Sequence, residues 1–176
     1  MHKSTIYKSA LLLLLPLGII GATTTTSASA KNSLRHYPAR FQRTWYHYTD
    51  GRYEKMIFTP NHLSSHTYYE KWYYSRSPLH TRNLNLDGEQ VSSHQNWTFA
   101  TFKSPWLWVY GWNQTAGAGD YYKVKIHSYH GVRFRVLSAA GGAGIWTYEH
   151  FYATKKVAKV MKNRHFSGER YYPEIN

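Results

Sequence analysis

Two aromatic-rich runs joined by an Asp-Gly pair are the feature that most limits how this chain folds. Residues 41–48 and 53–58 both have the composition of β-strands, and Asp50 and Gly51 lie in the short gap between them. An Asp-Gly pair suits a two-residue hairpin turn because both central positions need a positive φ. The sequence predicts an antiparallel hairpin with three pairs that test its register: Trp45 with Met56, Thr44 with Ile57, and His47 with Glu54.

Further strand signals follow, and a helix signal lies near the C-terminus. Five more runs have strand character: residues 68–74, 97–102, 106–112, 121–129 and 145–151. A helix is predicted over residues 155–162 with Thr154 as its N-cap. Many short strands and one late helix favour a mostly β fold, a single antiparallel barrel or sandwich of about six to eight strands. Residues 60–95 carry the weakest pattern, apart from a tight turn predicted at Asp87-Gly88.

The hairpin after residue 121 has two conceivable registers. A two-residue loop would place the apolar side chains of residues 122–126 beside Arg133 and Arg135. A three-residue loop over residues 129–131 gathers the apolar side chains of both strands on one face. Because a one-residue slip turns every side chain to the other face, the hydrophobic pattern favours the three-residue loop. The opposite face would then be basic and consist of Lys123, Lys125, His127, Arg133 and Arg135.

The chain is strongly basic and contains no cysteine. Lys and Arg number 22 against 9 Asp and Glu, which gives a formal net charge of +13 over 176 residues. The absence of cysteine excludes disulfides, cysteine-ligated metal sites and a thiol nucleophile. Leu, Ile, Val and Phe are scarce, but 7 Trp and 17 Tyr residues bring large buriable areas. An aromatic core is therefore predicted.

The N-terminal segment has the pattern of an export signal. Lys3 and Lys8 precede an apolar run over residues 10–22, and Ala28-Ser29-Ala30 matches the small-x-small cleavage pattern. The run is shorter than the roughly 20 residues that a membrane-spanning helix needs. We therefore expect a secreted protein in three parts: residues 1–30 as a removed signal peptide, 31–40 as a loose basic tail, and 41–176 as a single β-rich domain.

The predicted basic face is one candidate site. In the favoured register Lys125 lies opposite Arg135 and His127 opposite Arg133, and like charges across a sheet are unfavourable without an anion. The face therefore predicts binding to an anionic cell-wall polymer or membrane surface, and to nucleic acid only non-specifically. The alternative is that these residues simply form the wet outer surface of a barrel in a basic protein.

An aromatic run is the second candidate site. On a strand, Trp106, Trp108, Tyr110 and Trp112 project from one face. Such a row suits a sugar-binding platform or the wall of a small-ligand pocket, whereas ordinary core packing is the simpler interpretation.

No catalytic or metal motif is evident. The chain has no Gly-x-Ser-x-Gly elbow, no phosphate-binding loop and no His-Glu-x-x-His zinc motif. His47 opposite Glu54 fits an acid–base pair, but such pairs are more often surface contacts. Metal sites need three or four convergent ligands, and spacing identifies no third partner. The sequence therefore predicts no catalytic residue, no metal site and no cofactor.

Several motifs together resemble a known group of proteins. These are Thr44-Trp45-Tyr46, the Asp-Gly hairpin, residues 111–122 and Ala143-Gly144-Ile145-Trp146. They resemble small secreted proteins of lactobacilli and related Gram-positive bacteria over most of residues 41–172. The resemblance implies export and a β-rich fold but no catalytic residue. A weaker likeness is to lipocalin-type barrels, which begin with Gly-x-Trp, although Arg43 stands here where that motif has Gly.

Three functions remain open from the sequence. The leading hypothesis is a secreted, non-enzymatic binding module that its basic face holds near the cell surface. The second is a lipocalin-like carrier whose aromatic residues line a pocket for a small ligand. The third is an enzyme acting on cell-wall polymer. The sequence does not indicate an oligomeric state.

Overall fold

The computed structural model describes residues 32–84 and 90–172, which form nine strands and one α-helix. The strands are β1 Arg43–Thr49, β2 Arg52–Phe58, β3 His62–Tyr69, β4 Lys71–Pro78, β5 Thr98–Lys103, β6 Trp106–Gly111, β7 Asp120–Tyr129, β8 Val132–Gly141 and β9 Trp146–Tyr152. The helix α1 spans Lys155–Met161, and a 3-10 turn spans Ser92–His94. The predicted signal peptide and the Asp87-Gly88 turn lie outside the described residues.

All nine strands belong to one antiparallel sheet that curls into a nearly closed barrel. The strand order is β4-β3-β2-β1-β9-β8-β7-β6-β5, so the last strand pairs with the first. The two sheet edges meet where Leu79, just after β4, forms a β-bridge with Thr98 of β5. The Thr98 hydroxyl also donates a hydrogen bond to the Pro78 carbonyl at 3.1 Å. The mostly β fold with one C-terminal helix is confirmed, but the predicted six to eight strands is too low.

The β1–β2 hairpin has the predicted register. Asp50 and Gly51 form its turn with φ angles of 47° and 77°. The three expected pairs are all present: Trp45 with Met56, Thr44 with Ile57, and His47 with Glu54. Alternation along β1 and β2 then places Trp45 and Met56, together with the residues that share their face, inside the barrel.

The β7–β8 hairpin corrects the prediction of a three-residue loop. Tyr129 pairs directly with Val132, so the loop is His130-Gly131, with φ angles of 48° and 77°. The hydrophobic pattern misleads because the tip of this hairpin is solvent-exposed on both faces: Ile126 is 55% exposed and Val132 is 62% exposed. Without a buried face at the tip, the two positive-φ residues decide the register.

The weakly patterned middle of the chain forms a second regular hairpin. Strands β3 and β4 pair from His62 with Pro78 to Tyr69 with Lys71, and Glu70 turns the chain with a φ of 60°. The single strand predicted over residues 68–74 is therefore two strands that meet at Glu70. These strands are rich in Ser, Thr and His, so they lack the apolar alternation by which half-buried strands are recognised.

The segment before β1 is packed rather than loose where the structure describes it. Tyr37 is only 1% exposed and joins the interior aromatic core. Its backbone N–H donates to the Pro60 carbonyl at 2.9 Å, and the Leu34 N–H donates to the Ala100 carbonyl at 2.7 Å. The prediction of a loose tail over residues 31–40 rested on charge and polarity and did not consider that the Tyr37 ring would be buried in the core.

Helix α1 covers part of the outer surface of the barrel. Ala158 and Met161 pack against Val136 of β8 and Tyr152 of β9 in a second apolar cluster. The Thr154 side chain accepts a hydrogen bond from the Val157 N–H, as its predicted role as N-cap requires. Among the described residues no helix is long and apolar enough to cross a membrane.

Candidate functional site

A polar cluster lies inside the barrel among aromatic residues. His47 follows the inward alternation of Trp45 along β1, and Glu54 follows that of Met56 along β2. His47 is 4% exposed and Glu54 is 5% exposed. The interpretation of this pair as a surface contact is therefore wrong, because the hairpin face that carries it turns inward.

A third polar side chain reaches the cluster through a β-bulge in β9. Ala139 pairs with Glu149 and Ala140 with Thr147, so Tyr148 is the extra residue of the bulge. In a regular strand Tyr148 and Glu149 would face opposite ways. The bulge brings both to the interior cavity. No feature of the linear pattern marks this bulge, which explains why the sequence did not identify Glu149.

Two hydrogen bonds orient the cluster. His47 Nδ1 lies 2.9 Å from the carbonyl oxygen of His150, and since a carbonyl only accepts, this nitrogen carries the proton. The unprotonated Nε2 then faces Glu149, whose Oε1 is 3.3 Å away. Glu54 Oε1 accepts a hydrogen bond of 2.7 Å from the Tyr68 backbone N–H.

Burial perturbs the titration of this cluster. Loss of solvent, reinforced by the nearby charge of Glu54, raises the pKa of Glu149 to about 8. Burial also lowers the pKa of His47, against the opposing effects of the His150 carbonyl and Glu54, so its imidazole is neutral at pH 7. Within the described ranges 32–84 and 90–172, no Lys or Arg nitrogen comes within 4.0 Å of either carboxylate.

The cluster borders an interior cavity of about 340 Å³. Hydroxyl groups line much of it: Ser65, Thr67, Ser75, Ser77, Tyr122 and Tyr148. Glu149 contributes a carboxylate to its wall and Asp120 contributes another at the exposed rim. Among the described residues no Lys, Arg or His lines the cavity. Its charged groups are therefore acidic, although the protein as a whole is basic, and Met56, Val109 and Phe151 supply the apolar part of the wall.

A second opening lies on the His47 side of the cluster. A cleft of about 460 Å³ runs between the β1–β2 turn and the residues after α1, and His47, Asp50 and Asn163 are among those lining it. The cluster is thus bordered by the cavity at Glu149 and by the cleft at His47. The Glu149 side chain is 23% exposed, whereas the His47 side chain is only 5% exposed.

Three potential metal ligands meet in the cluster. One ligand atom each from His47, Glu54 and Glu149 lies within 4.8 Å of the other two. Only the first two were recognisable as neighbours from the hairpin register. Spacing in the sequence identified no third partner for this pair, and the structure brings Glu149 beside it because β9 closes the barrel next to β1.

A second buried polar cluster lies on the outer face of β7, β8 and β9. Glu169, from the segment after α1, has a fully buried side chain. It is held by four donors: Lys123 Nζ at 2.9 Å, His150 Nε2 at 2.7 Å, the Ser138 hydroxyl at 2.6 Å and the Tyr171 hydroxyl at 2.9 Å. Burial alone would raise the pKa of Glu169, but hydrogen bonds from His150, Ser138 and Lys123 hold it well below its usual range. This cluster fastens the C-terminal segment to the barrel.

The predicted anion-binding residues do not share one face. Lys123 is buried against Glu169, and His127 stacks on Phe166 with ring centroids 4.1 Å apart. With Lys125 they lie on the face of β7 that carries Val136 in β8. Arg133 and Arg135 lie on the opposite face, exposed, beside a surface groove of about 520 Å³ next to α1. The register prevents the five from forming a single basic surface.

The predicted aromatic row does share a face, on the outside of the barrel. Leu107 and Val109 of β6 are buried in the core, so Trp106, Trp108 and Tyr110 point outward and are half-buried. Trp112 follows β6 and packs edge-on against Trp97, with centroids 5.4 Å apart. The row is therefore not the wall of the barrel interior, although Tyr110 reaches the rim of the cavity.

Comparison with known proteins adds no relative. No family model matches the chain, and neither a curated protein nor a solved structure matches it. The resemblance to small secreted proteins of Gram-positive bacteria thus stays a prediction, and function has to be inferred from the barrel itself.

Proposed function

We propose that this protein is an exported carrier barrel that holds a small cationic ligand in its interior. The acidic cavity inside a basic protein is the observation that carries this proposal. The chain has a net charge of +13, yet two of its 9 acidic residues, Asp120 and Glu149, line one cavity that no basic side chain enters among the described residues. A third, Glu54, lies beside Glu149.

The size and chemistry of the cavity support a small ligand. A volume of about 340 Å³ falls at the lower end of the roughly 300–1,000 Å³ typical of small-molecule sites. Hydroxyl groups from β3, β4, β7 and β9 offer hydrogen bonds around the wall, and the carboxylates select positive charge. Anionic ligands are disfavoured because they would meet carboxylates with no compensating cation.

Replacing Asp120 by Asn should weaken binding of a small ammonium compound about two- to fivefold. One partly exposed charge pair is worth up to about 1 kcal/mol, and about 0.4–1 kcal/mol converts to that range. Isothermal titration with ethylenediamine and choline, against acetate and glycerol as anionic and neutral probes, measures the preference. Glu70→Gln is the matched control, because it removes one negative charge at the exposed β3–β4 turn. Equal binding of all four probes, or equal loss in both variants, would contradict the proposal.

A second candidate function is retention at an anionic cell surface. It is favoured by the charge distribution: among the described residues, Lys123 is the sole Lys or Arg that forms an ion pair with a carboxylate. Exposed basic side chains such as Arg133 and Arg135 are thus not neutralised by a carboxylate of the described residues and can contact an external polyanion. This proposal keeps Arg133 and Arg135 as exposed contacts but no longer includes Lys123, whose charge is neutralised by Glu169.

Retention on bacterial wall fragments that carry teichoic acid should fall steeply with salt. Exposed charge contacts weaken as the screening length shrinks from about 10 Å at 0.1 M to about 3 Å at 1 M salt. A salt-series pulldown on fragments with and without teichoic acid measures this. The double variant Arg133→Gln/Arg135→Gln should elute at lower salt than wild type. Lys123→Met/Glu169→Gln removes the buried pair without changing the net charge and should elute at the same salt as wild type. Salt-independent retention would argue against this function.

A further inference from the structure

The interior cluster of His47, Glu54 and Glu149 has the composition of a metal site. Its donors are one imidazole nitrogen and two carboxylates, contributed by three adjacent strands of a rigid sheet. A mixed nitrogen and oxygen set suits first-row divalent ions such as Zn²⁺, since imidazole favours them over Mg²⁺ and Ca²⁺. Zinc sites with three protein ligands and one open position are of this kind.

The distances are close to those that zinc requires. Ligands at about 2.0–2.1 Å from a tetrahedral ion lie about 3.4 Å from one another. His47 Nε2 and Glu149 Oε1 are already 3.3 Å apart. The Glu54 oxygen lies within 4.8 Å of both, so a bound ion would have to draw the three ligands somewhat closer together.

The hydrogen bonds to His47 and Glu54 are of the kind that holds metal ligands in place. A metal-ligating histidine almost always donates its other ring N–H to a carbonyl or carboxylate, which fixes the tautomer and the ring orientation. His47 makes this bond to the His150 carbonyl at 2.9 Å. Glu54 is likewise held by the Tyr68 N–H at 2.7 Å. These bonds aim the His47 Nε2 lone pair and one carboxylate into the cluster.

The charges also call for a cation. Two carboxylates approach each other in the interior, and within the part of the chain that the structure describes no Lys or Arg compensates them. A buried carboxylate without a basic partner is neutralised either by a proton, as Glu149 is in the metal-free protein, or by a bound cation. A basic chain with 22 Lys and Arg could have supplied a partner here, as Lys123 does for Glu169.

We propose that His47, Glu54 and Glu149 bind one divalent first-row transition-metal ion, with Zn²⁺ as the reference ion. The cavity supplies the open coordination position on the side of Glu149, whose side chain is 23% exposed. This inference rests on the proposed function, because it names the cationic ligand of the acidic interior.

Titration of the metal-free protein with ZnCl₂ tests the proposal. We expect one tight site per chain, with Mg²⁺ and Ca²⁺ failing to compete. His47→Gln and Glu149→Gln should each weaken that site by at least the roughly 10–100-fold that loss of an outer-sphere partner costs. His36→Gln is the matched control, since His36 is exposed and outside the cluster. Circular dichroism of each variant confirms folding, and if His47→Gln fails to fold, Glu149→Gln decides.

Each outcome separates the metal site from its alternatives. Zinc bound equally by wild type and by both cluster variants would assign it to surface histidines and overturn the proposal. A preference for Ca²⁺ would overturn the choice of metal class. If zinc does not bind but ethylenediamine does, the metal inference fails while the cationic carrier stands. If neither binds, both fail. Binding of Co²⁺ with visible absorption bands that Glu54→Gln abolishes would support the predicted ligand set.

Discussion

Replacing Glu169 by Gln is expected to lower the free energy of unfolding by about 3–5 kcal/mol. The Glu169 carboxylate is fully buried, and the Lys123 side chain that faces it is only 3% exposed. Removing one partner of a buried ion pair leaves the other charge unpaired in the interior, at a cost of about that size. The amide also replaces one of the two acceptor oxygens, so a donor among Ser138, His150 and Tyr171 loses its acceptor.

Urea unfolding followed by tryptophan fluorescence measures this effect. Glu70→Gln is the matched control, because the same chemical change at the exposed β3–β4 turn should stay within about 0.5 kcal/mol. The double variant Lys123→Met/Glu169→Gln should recover much of the loss, since it removes the unpaired charge as well. A Glu169→Gln effect no larger than that of Glu70→Gln would mean that the C-terminal segment is not fastened by this carboxylate.

The same network gives the prediction a second readout in acid. The folded pKa of Glu169 lies below its unfolded value, so its contribution to stability is fully present above the unfolded pKa near 4.5. It is lost as the pH falls from there toward the folded pKa. Wild type should therefore lose more stability between neutral pH and about pH 3 than Glu169→Gln does.

The parts of the fold that could be predicted from the sequence are those that local chemistry decides. Asp50 and Gly51 adopt positive φ more readily than most residues do, and the turn they form determines the pairing of His47 with Glu54. Thr154 caps α1 because its hydroxyl reaches a backbone N–H within its own turn. Such signals need no knowledge of the rest of the chain.

The candidate site depends on features that are not local. Glu149 reaches His47 because β9 pairs with β1 and because a bulge at Tyr148 turns the strand, and neither is visible in an apolar pattern. Strands β3 and β4 were not recognised as two strands because their Ser and Thr side chains face a polar cavity and so give no apolar alternation. The β7–β8 register was mispredicted for a related reason: at an exposed hairpin tip, turn geometry outweighs hydrophobic alternation.

In the metal-free protein, replacing Glu149 by Gln is expected to raise the free energy of unfolding by about 1–3 kcal/mol at pH 7. Most single substitutions destabilise a protein, so the sign is the unusual part of this prediction. Glu149 has a pKa of about 8 when folded, against 4.5 for an unperturbed side chain. At pH 7 it therefore takes up a proton on folding. Each pH unit above 4.5 costs about 1.4 kcal/mol until the folded pKa is reached.

The amide can replace the protonated carboxyl group in structure as well as in charge. His47 Nδ1 donates to the His150 carbonyl, so Nε2 accepts, and it faces Glu149 at 3.3 Å. A Gln side chain offers an N–H to that nitrogen and carries no charge toward Glu54 on β2. The groups that face Glu149 are His47 from β1, Glu54 from β2 and, across the cavity, Asp120 and Tyr122 of β7. None of these is a Lys or Arg that would lose a partner.

The pH dependence makes the prediction specific to this carboxylate. Since its folded pKa is raised, wild type should be most stable relative to Glu149→Gln below about pH 4.5, and the variant's advantage should grow as the pH rises toward 8. Unfolding with urea in EDTA at pH 4.5, 6, 7 and 8 measures the difference, and Glu70→Gln should show no such trend.

Added Zn²⁺ should make wild type more stable than Glu149→Gln, because it binds the folded wild type and stabilises it by mass action while the variant has lost a ligand. A variant less stable than wild type at every pH, with and without zinc, would show that Glu149 serves packing alone.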